Sequence, residues 1–376
     1  MAGPKFQAPG EATLAGLRAD LAAWFATAQR DLPWRRTRDA YAVWVSEAML
    51  QQTRVETVLD YWPRFLDRFP TIADLARAEE ESVLEAWSGL GYYRRARSLQ
   101  AAAQVIQAEH GGEFPRDLDA ALSLPGIGPY TAGAVLSIAY DLPVAIVDGN
   151  VERVFSRWFL LDGVRSSGPL LREAWKAARA LVEERPREEV APRDWNQALM
   201  ELGALLCKPT SPDCGSCPVA KHCRARAEGK AAELPRAKPK KPPVEVALEV
   251  YVASLEGAWL LERRPDGGLM AGMWQFPTVE VSGPELFPRD LEGKLGAVLE
   301  PQGDLFTLSH GITKHRIKVR VRAAVCSREA GEAGEGSELG WFSPADAEGL
   351  ALTGMAKKVL VRLKRDARQT KLFGDG

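Results

Sequence analysis

Residues 122–139 read LSLPGIGPYTAGAVLSIA, and this stretch decides the local fold. Two apolar runs with helical spacing flank the turn, where Gly126 and Gly128 allow the backbone to reverse sharply. The turn would direct its amide hydrogens outward at the start of the second helix, and amides at a helix N-terminus bind phosphate. A glycine turn alone is weak evidence. Framed by two apolar helices and preceded by a proline, it predicts a hairpin-helix unit that binds a DNA backbone.

Helical spacing of apolar residues continues around this segment, from about residue 11 to residue 207, whereas after residue 244 the period changes to two. At about 150 residues per domain, a chain of 376 residues suggests two or three units. The boundaries that we predict are an all-α domain at 1–230, a Pro/Lys-rich extended linker at 231–244, a mixed α/β domain at 245–366 and a flexible tail at 367–376.

The composition is that of a globular protein, with 46% hydrophobic residues and a net charge of −1. No apolar run approaches the roughly 18 residues of a membrane span, and the first residues, MAGPKF, lack the apolar core of a signal peptide. We therefore expect a cytoplasmic monomer without a membrane partner. Lys318, Arg320 and Arg322 share one face of the strand IKVRVRAAV, which favours a solvated face over a phosphate-binding patch.

Four cysteines, Cys207, Cys214, Cys217 and Cys223, follow the helical stretch with the spacing C-x6-C-x2-C-x5-C. Four thiolates in one short loop are typical of a structural metal centre, either a tetrahedral zinc or a cubane iron-sulfur cluster. Disulfides fit poorly, since we expect an intracellular protein with reduced thiols. His222 is interpreted as a bystander, and Cys326 as an odd fifth cysteine packed in a strand.

Two carboxylates have ambiguous patterns by themselves. Asp148 lies in a loop just before a helix, where an N-cap role and a catalytic role are about equally supported, and Asn150 could also cap that helix. Glu47, taken alone, would be interpreted as a glutamate on a helix surface.

Taken together, the motifs resemble the MutY family of adenine DNA glycosylases, within the endonuclease III helix-hairpin-helix superfamily. The motifs that carry the resemblance occur in the family's order over nearly the whole chain: LPWR at 32–35, VWVSEAMLQQTRV at 43–55, GLGYYRRAR at 89–97, LPGIGPYTAGA at 124–134, VDGNVERV at 147–154 and the cysteine loop. The resemblance implies a 4Fe-4S cluster in the cysteine loop rather than zinc.

The resemblance also implies roles for the two carboxylates. Glu47 matches the general acid that protonates adenine, and its apolar neighbours are expected to raise its pKa. Asp148 matches the aspartate that faces the cationic sugar and should stay ionised, while Asn150 matches a residue that orients the site. Tyr130 occupies the position of the lysine in the lyase branch, and a phenol cannot form a Schiff base. A monofunctional glycosylase is therefore expected.

Further residues match DNA contacts of the family. Gln52 and Tyr92 match residues that wedge into the base stack when the nucleotide is extruded, although Gln51 and Gln52 cannot face the same way on a helix. Trp34 and Arg35 match residues near the adenine pocket.

The second domain resembles the MutT-like module with which this family senses 8-oxoguanine opposite adenine. AGMWQFP at 271–277 resembles the strand before a Nudix box, but the carboxylates of the box are missing, so recognition without hydrolysis is expected. Ser309 and His310 match the end of the lesion-reading loop, in which Leu308 replaces the usual phenylalanine.

The resulting hypothesis is a base excision repair enzyme that removes adenine from mispairs with 8-oxoguanine or guanine in double-stranded DNA. The alternatives are a bifunctional lyase on oxidised pyrimidines, a lesion-binding protein without catalysis and, most weakly, a Nudix hydrolase. The segment QTKLF, at 369–373, resembles the pentapeptide that docks on the replication sliding clamp, although a frayed tail is the favoured interpretation.

Overall fold

A computed structural model describes the backbone of residues 5–182, 190–239, 242–265, 269–290, 298–312, 314–326 and 339–373, with side chains up to residue 366. The chain divides into two compact units. The first consists of Met1–Arg77 and Ser98–Lys240, and the second of Ala78–Arg97 and Lys241–Gly376. We call these the helical unit and the sheet unit. Among the described residues, no helix combines the length and the apolar character needed to cross a bilayer.

The helices of the first part of the chain are α1 (Glu11–Ala28), α2 (Ala40–Leu50), α3 (Val55–Arg68), α4 (Ile72–Arg77), α5 (Glu80–Ala86), α6 (Arg94–Glu109), α7 (Leu118–Ser123), α8 (Pro129–Tyr140), α9 (Gly149–Trp158), α10 (Gly168–Val182), α11 (Pro192–Leu205) and α12 (Arg224–Ala227), with short 3-10 helices at Pro33–Arg35 and Ala220–His222. The predicted all-α class of this region is confirmed.

Two of these helices, α2 and α8, form the centre of the helical unit. Residues 41–49 of α2 and residues 131–138 of α8 are all buried, as expected for helices that are apolar on every side. Gly133 allows α8 to approach the following segment, because a Cβ there would lie 2.3 Å from the carbonyl oxygen of Ala145. A polar residue on either helix is therefore held inside the core.

In the described part of the sheet unit there are seven strands, β1 (Val244–Leu255), β2 (Ala258–Arg263), β3 (Trp274–Gln275), β4 (Thr278–Ser282), β5 (Leu299–Ile312), β6 (His315–Cys326) and β7 (Leu339–Phe342), and two further helices, α13 (Pro344–Gly349) and α14 (Gly354–Phe373). The strand order is β3-β2-β1-β6-β5, with β4 paired to β1 and β7 to β2. Strands β1 and β6 run parallel, and their alternate residues pack with α14 in the core.

The basic face of β6 is solvated, as predicted. Lys318 and Arg320 are exposed, while Arg320 and Arg322 form ion pairs with Asp304 and Glu249. Exposed ion pairs of this kind contribute little to stability. They do, however, compensate the positive charge of the face.

Three boundaries differ from the predicted ones. Residues 231–236 are not a free linker, because Leu234 is buried and Arg236 forms a backbone bridge with Val164. Residues 78–97 pack with the sheet unit, where the indole of Trp274 donates to Glu81 at 3.2 Å. Helix α14 continues to Phe373 through the predicted flexible tail, since no glycine or proline interrupts it after its first residue.

Candidate active site

A cavity of about 700 Å³ opens in the helical unit between α2, α8, α9 and α11. Its lining brings together seven residues singled out from the sequence: Trp34, Arg35, Glu47, Gln52, Tyr130, Asp148 and Asn150. These residues come from four separate stretches of the chain. The cavity is therefore the place where the proposed chemistry of this unit would occur.

Glu47 lies on the buried helix α2 and is 5% exposed. The pKa of its carboxyl is raised from 4.5 to about 7. Burial is the main cause; the Tyr130 hydrogen bond and the charge of Arg35 lower the pKa, while the charge of Asp148 raises it. A carboxyl with this pKa keeps a large protonated fraction near neutral pH. Glu47 is thus suited to donate a proton.

Tyr130 is the second residue of α8, directly after Pro129 at the first helical position. Its hydroxyl donates to Glu47 Oε2 at 2.7 Å and lies 3.2 Å from Met200 Sδ. Burial raises the pKa of Tyr130 well above its usual range, so the phenol remains a donor. The contact orients the Glu47 carboxyl toward the cavity.

Asp148 is the N-cap of α9 and also lines the cavity. Its Oδ1 accepts the amides of Asn150 at 2.9 Å and Val151 at 2.7 Å, and its Oδ2 accepts Asn150 Nδ2 at 3.0 Å. Burial raises the pKa of Asp148, against the lowering effect of these three hydrogen bonds. The same Asp148 carboxylate therefore caps α9 and lines the cavity.

Asn150 connects this cap to the cysteine loop. Its Oδ1 accepts Arg153 Nη2 at 2.8 Å, and Arg153 also donates to the carbonyls of Gly203 at 2.8 Å and Cys207 at 2.7 Å. Helix α11 approaches closely here, since a Cβ on Gly203 would lie 2.6 Å from Asn150 Cβ. The position of the Asn150 side chain is thus fixed from two sides.

Trp34 and Arg35 lie in the 3-10 helix Pro33–Arg35, and the indole of Trp34 is buried. Arg35 forms a bidentate pair with Glu201, at 3.0 and 2.8 Å, and Arg30 pairs with the same carboxylate. Burial alone would raise the pKa of Glu201, but the hydrogen bonds from Arg30 and Arg35 lower it to about 2. Glu201 is therefore a permanent anion that fixes the cavity wall.

The sequence reasoning missed Glu201 and its neighbour Gln197, one turn earlier on α11. Both side chains are almost completely buried and line the cavity. Polar residues at i and i+4 on a helix whose other positions are apolar normally mark the solvent face. The signal that could have pointed to a site is Arg35, which follows the buried Trp34 and pairs with Glu201, whereas the adjacent Arg36 pairs with the exposed Asp31.

The expected opposition of Gln51 and Gln52 is wrong, because α2 ends at Leu50 and both glutamines line the cavity. Gln51 Nε2 lies 3.2 Å from Thr131 Oγ1. Gln52 is exposed and has a φ of 58°. Tyr92, the second predicted wedge residue, lies in the sheet unit, is 47% exposed and has a φ of 49°. Left-handed backbone at such residues is uncommon and concentrates at functional sites.

The predicted hairpin connects α7 to α8. Gly126 has a φ of 75°, and a Cβ on it would lie only 2.4 Å from Ser98 Cβ. Gly128 is the N-cap of α8 with an ordinary negative φ, and the space where its Cβ would lie is open. Gly126 is thus required by the fold, whereas Gly128 leaves room in front of the helix N-terminus.

The four cysteines of the loop are free and half-buried. The pKa of Cys217 is raised to about 11, chiefly by burial and in part by the neighbouring Cys207, Cys223 and Cys214. The fully buried Arg157 donates to Cys207 Sγ at 3.2 Å and to the carbonyls of Lys208 and Pro209. Among the residues described, no three His, Cys, Asp or Glu side chains form a group that could hold a metal ion.

The Nε2 of His222 lies 2.8 Å from Asp20 Oδ2, and its predicted role as a bystander to the cysteine loop stays a prediction. The four cysteines of the loop fit a thiolate-bound group, because sulfur is a soft ligand. The other three cysteines raise the pKa of Cys217, and the buried guanidinium of Arg157 contacts Cys207 Sγ. The chemistry of the loop therefore lies in its sulfurs.

In the sheet unit, Ser309 and His310 lie in strand β5 rather than in a loop. The pairing of β5 with β6 extends to Ile312 and His315, so the strand continues through both residues. Burial lowers the pKa of His310, and the ammonium of Lys358 lowers it further. A neutral imidazole next to an exposed serine can both donate and accept hydrogen bonds.

Comparison with known proteins agrees with this architecture. Residues 45–180 match the family described as HhH-GPD superfamily base excision DNA repair protein, and residues 250–362 match the NUDIX domain. A solved structure described as a thermostable thymine-DNA glycosylase has a TM-score of 0.51 and 28% identity, covering 58% of this chain and 98% of that one.

Two curated relatives carry the name adenine DNA glycosylase. The Rattus norvegicus protein is 39% identical over 320 residues, covering 71% of this chain, and this chain spans only 61% of that protein. The Schizosaccharomyces pombe protein is 35% identical over 337 residues, covering 74% of this chain and 72% of the relative. Because the second match covers most of both proteins, the chain belongs to the adenine DNA glycosylase family.

Proposed function

We propose that this chain is a monofunctional DNA glycosylase that extrudes and hydrolyses adenine mispaired with 8-oxoguanine or guanine, acting in base excision repair on chromosomal DNA in the cytoplasm. The observation that carries the proposal is a buried carboxyl, Glu47, and a half-buried one, Asp148, that line one cavity. Glu47 has its pKa raised to about 7, while three hydrogen bonds stabilise the ionised form of Asp148. Two acids in unlike environments are what glycosidic cleavage requires.

In the proposed reaction, protonated Glu47 transfers its proton to a ring nitrogen of the extruded adenine. The bond between that base and C1′ then breaks, and its electron pair leaves with adenine. The sugar becomes cationic, and the Asp148 carboxylate stabilises that charge. Water adds to C1′ and returns a proton to the Glu47 carboxylate, which regenerates the acid and leaves an abasic strand.

Tyr130 supports the monofunctional outcome. Its phenol is committed to Glu47 at 2.7 Å and has no amine with which to attack C1′. A lyase would need a nucleophilic lysine here. Borohydride reduction during turnover separates the two reactions, since a Schiff base would be trapped as a covalent protein–DNA adduct. Efficient trapping would favour the bifunctional alternative.

For the DNA contacts, we propose that the amides of the Gly126–Gly128 turn bind the phosphate backbone and that Gln52 and Tyr92 fill the gap left by the extruded nucleotide. Trp34 and Arg35 are proposed to shape the adenine pocket. Ser309 and His310 are proposed to read the oxidised guanine. Support comes from the open space before α8 and from the left-handed backbone at both wedge residues.

We further propose that Cys207, Cys214, Cys217 and Cys223 hold a 4Fe-4S cluster, which would fold the loop without taking part in hydrolysis. Arg157 would offset the negative charge of the ligated thiolates, since its guanidinium already contacts Cys207 Sγ. A brown protein whose visible absorption disappears when the cluster is destroyed is expected. A colourless preparation that contains zinc by elemental analysis would contradict this assignment.

Two further proposals concern binding to the replication sliding clamp and the monomeric state of the protein. The segment 369–373 continues α14 and is proposed to contact the replication sliding clamp. A pull-down would compare wild type with a Leu372→Ala and Phe373→Ala double variant, and equal recovery would reject clamp binding. Sedimentation is expected to report a monomer.

The decisive experiment is single-turnover release of adenine from duplexes that differ only in the opposite base. Wild type is expected to act on adenine opposite 8-oxoguanine or guanine, and to leave thymine opposite guanine intact. Glu47→Gln should bind the same duplexes without releasing adenine, because the amide keeps the shape but donates no comparable proton. Normal excision by this variant would reject the proposed acid.

A further inference from the structure

One arginine of the cavity forms no ion pair among the described residues, although its charge acts on the nearby carboxylate of Glu152. Of the three arginines in the cavity lining, Arg30 and Arg35 pair with Glu201. The guanidinium of Arg165 makes no hydrogen bond and no ion pair with any residue that the structure describes, and the residue is exposed. The sequence gives no reason to single it out, because it lies in the turn VRSSG between α9 and α10.

The backbone that carries Arg165 is held in place on both sides. Its amide donates to the carbonyl of Arg236 at 2.8 Å, and the amide of Arg236 donates to Gly163 at 2.9 Å. The amide of the next residue, Ser166, donates to Glu152 Oε1 on α9 at 2.6 Å. The exposed cation is therefore carried by an ordered turn rather than by a freely moving loop.

The guanidinium lies over the first residue of α9. A Cβ on Gly149 would be 3.2 Å from Arg165 Nη2, so the missing side chain is what lets the arginine approach. Gly149 directly follows Asp148, which lines the same cavity. The cation therefore lines the cavity next to the residue that follows Asp148, whose carboxylate we assign to the sugar.

We propose that Arg165 binds a phosphate that flanks the extruded nucleotide and so positions the sugar against Asp148. This inference rests on the proposed function. An extruded nucleotide enters base first, and its sugar carries one phosphate on each side to the mouth of the cavity. A guanidinium matches phosphate oxygens in a bidentate manner and offsets the repulsion between phosphate and the Asp148 carboxylate.

The test compares Arg165→Gln with Arg236→Gln in the full-length protein. Arg236 is the matched control, because it lies in the same backbone bridge but already pairs with Asp162 at 2.8 Å. The substrate is a duplex with one adenine opposite 8-oxoguanine. Two further duplexes replace the phosphate on the 5′ or the 3′ side of that adenosine by an uncharged methylphosphonate.

We expect Arg165→Gln to raise the enzyme concentration for half-maximal single-turnover rate about tenfold, and to reduce the salt slope of binding by about 1. The limiting rate should change less than about twofold, and Arg236→Gln should match wild type. On one of the two methylphosphonate duplexes, wild type and Arg165→Gln should become equal, because the charge that the arginine binds is gone.

A tenfold defect that persists on both methylphosphonate duplexes, or no defect on the unmodified duplex, would overturn the role of Arg165. An equal defect in Arg236→Gln would do the same, since it would reveal a general effect of positive charge. Failure of the underlying function has another signature, namely no adenine release by wild type from the unmodified duplex, and the inference would then fall with it.

Discussion

Replacing Glu47 by glutamine should stabilise the folded protein, and the gain should depend on pH. The carboxyl is 5% exposed, and burial raises its pKa from 4.5 to about 7. Below about pH 4.5 both the folded and the unfolded chain hold the proton, so the side chain has no pH-dependent effect on stability. Above about pH 4.5 the unfolded chain ionises this group while the folded chain still holds the proton, so the free energy of unfolding falls. The fall is complete once the pH has risen through about 7.

The magnitude follows from the distance between the two pKa values. Each pKa unit corresponds to about 1.4 kcal/mol, so the folded state loses roughly 3 kcal/mol between about pH 4 and pH 8 through this one group. Glutamine cannot ionise and can still accept the hydroxyl of Tyr130. The free energy of unfolding of the variant should therefore exceed that of wild type by about 3 kcal/mol at pH 8 and by about 1 kcal/mol or less at pH 5.

Urea unfolding followed by circular dichroism at both pH values measures this difference. Glu109→Gln, an exposed substitution on α6, is the matched control and should show no pH-dependent gain. If Glu47→Gln gave the same change in unfolding free energy at both pH values, or destabilised the protein at pH 8, Glu47 would not be a desolvated acid. The assignment of Glu47 as proton donor would then lose its physical basis.

Four further substitutions test the geometry of the site. Tyr130→Phe removes a hydrogen bond that lowers the pKa of Glu47, so the alkaline limb of the pH–rate profile should move to higher pH, and an unchanged profile would contradict the contact. Gln52→Gly relieves a φ of 58° and should stabilise the protein by about 1 kcal/mol in thermal unfolding while slowing adenine release. Gly126→Ala places a methyl group 2.4 Å from Ser98 Cβ and should weaken duplex binding in a gel-shift titration. In Gly128→Ala the added methyl group meets open space, so this variant reports the direct effect of a methyl group on DNA binding.

The hairpin and the two buried helices were predictable because their signals are local. Residues 122–139 contain the breakers and the apolar spacing of both flanking helices, and α7 and α8 occur where that pattern indicates. The alternation in β6 likewise predicts which residues are buried. Features of this kind depend on neighbours in sequence, so a single chain is enough to find them.

The end of α2 was not predictable, because residues 50–53 contain no glycine or proline to mark it. The helix nevertheless ends at Leu50, and Gln52 adopts a left-handed backbone. Leu234 shows the same limitation in a proline-rich segment, where its burial depends on contacts with distant residues. Both departures come from tertiary packing that overrides local propensity.

Glu201 shows why the site itself is harder to predict than the fold. A glutamate on a helix is normally exposed, and this one is 1% exposed only because Arg30 and Arg35, some 170 residues earlier, both pair with it. A buried charge costs several kcal/mol unless it is paired and hydrogen-bonded. The arginines therefore make the position possible, and no pattern within α11 reports them.

Asp148 shows that the structural and catalytic interpretations of a residue need not compete. The amides at the start of α9 satisfy the cap, and the same amides and the helix dipole stabilise the negative charge that a cationic sugar requires. Burial acts in the opposite direction on its pKa. The net shift of the Asp148 pKa is upward, so the cap limits the effect of burial on this carboxylate without reversing it. The cap that the structure shows and the catalytic role that we propose are therefore compatible, because the amides that cap α9 also lower the pKa of Asp148.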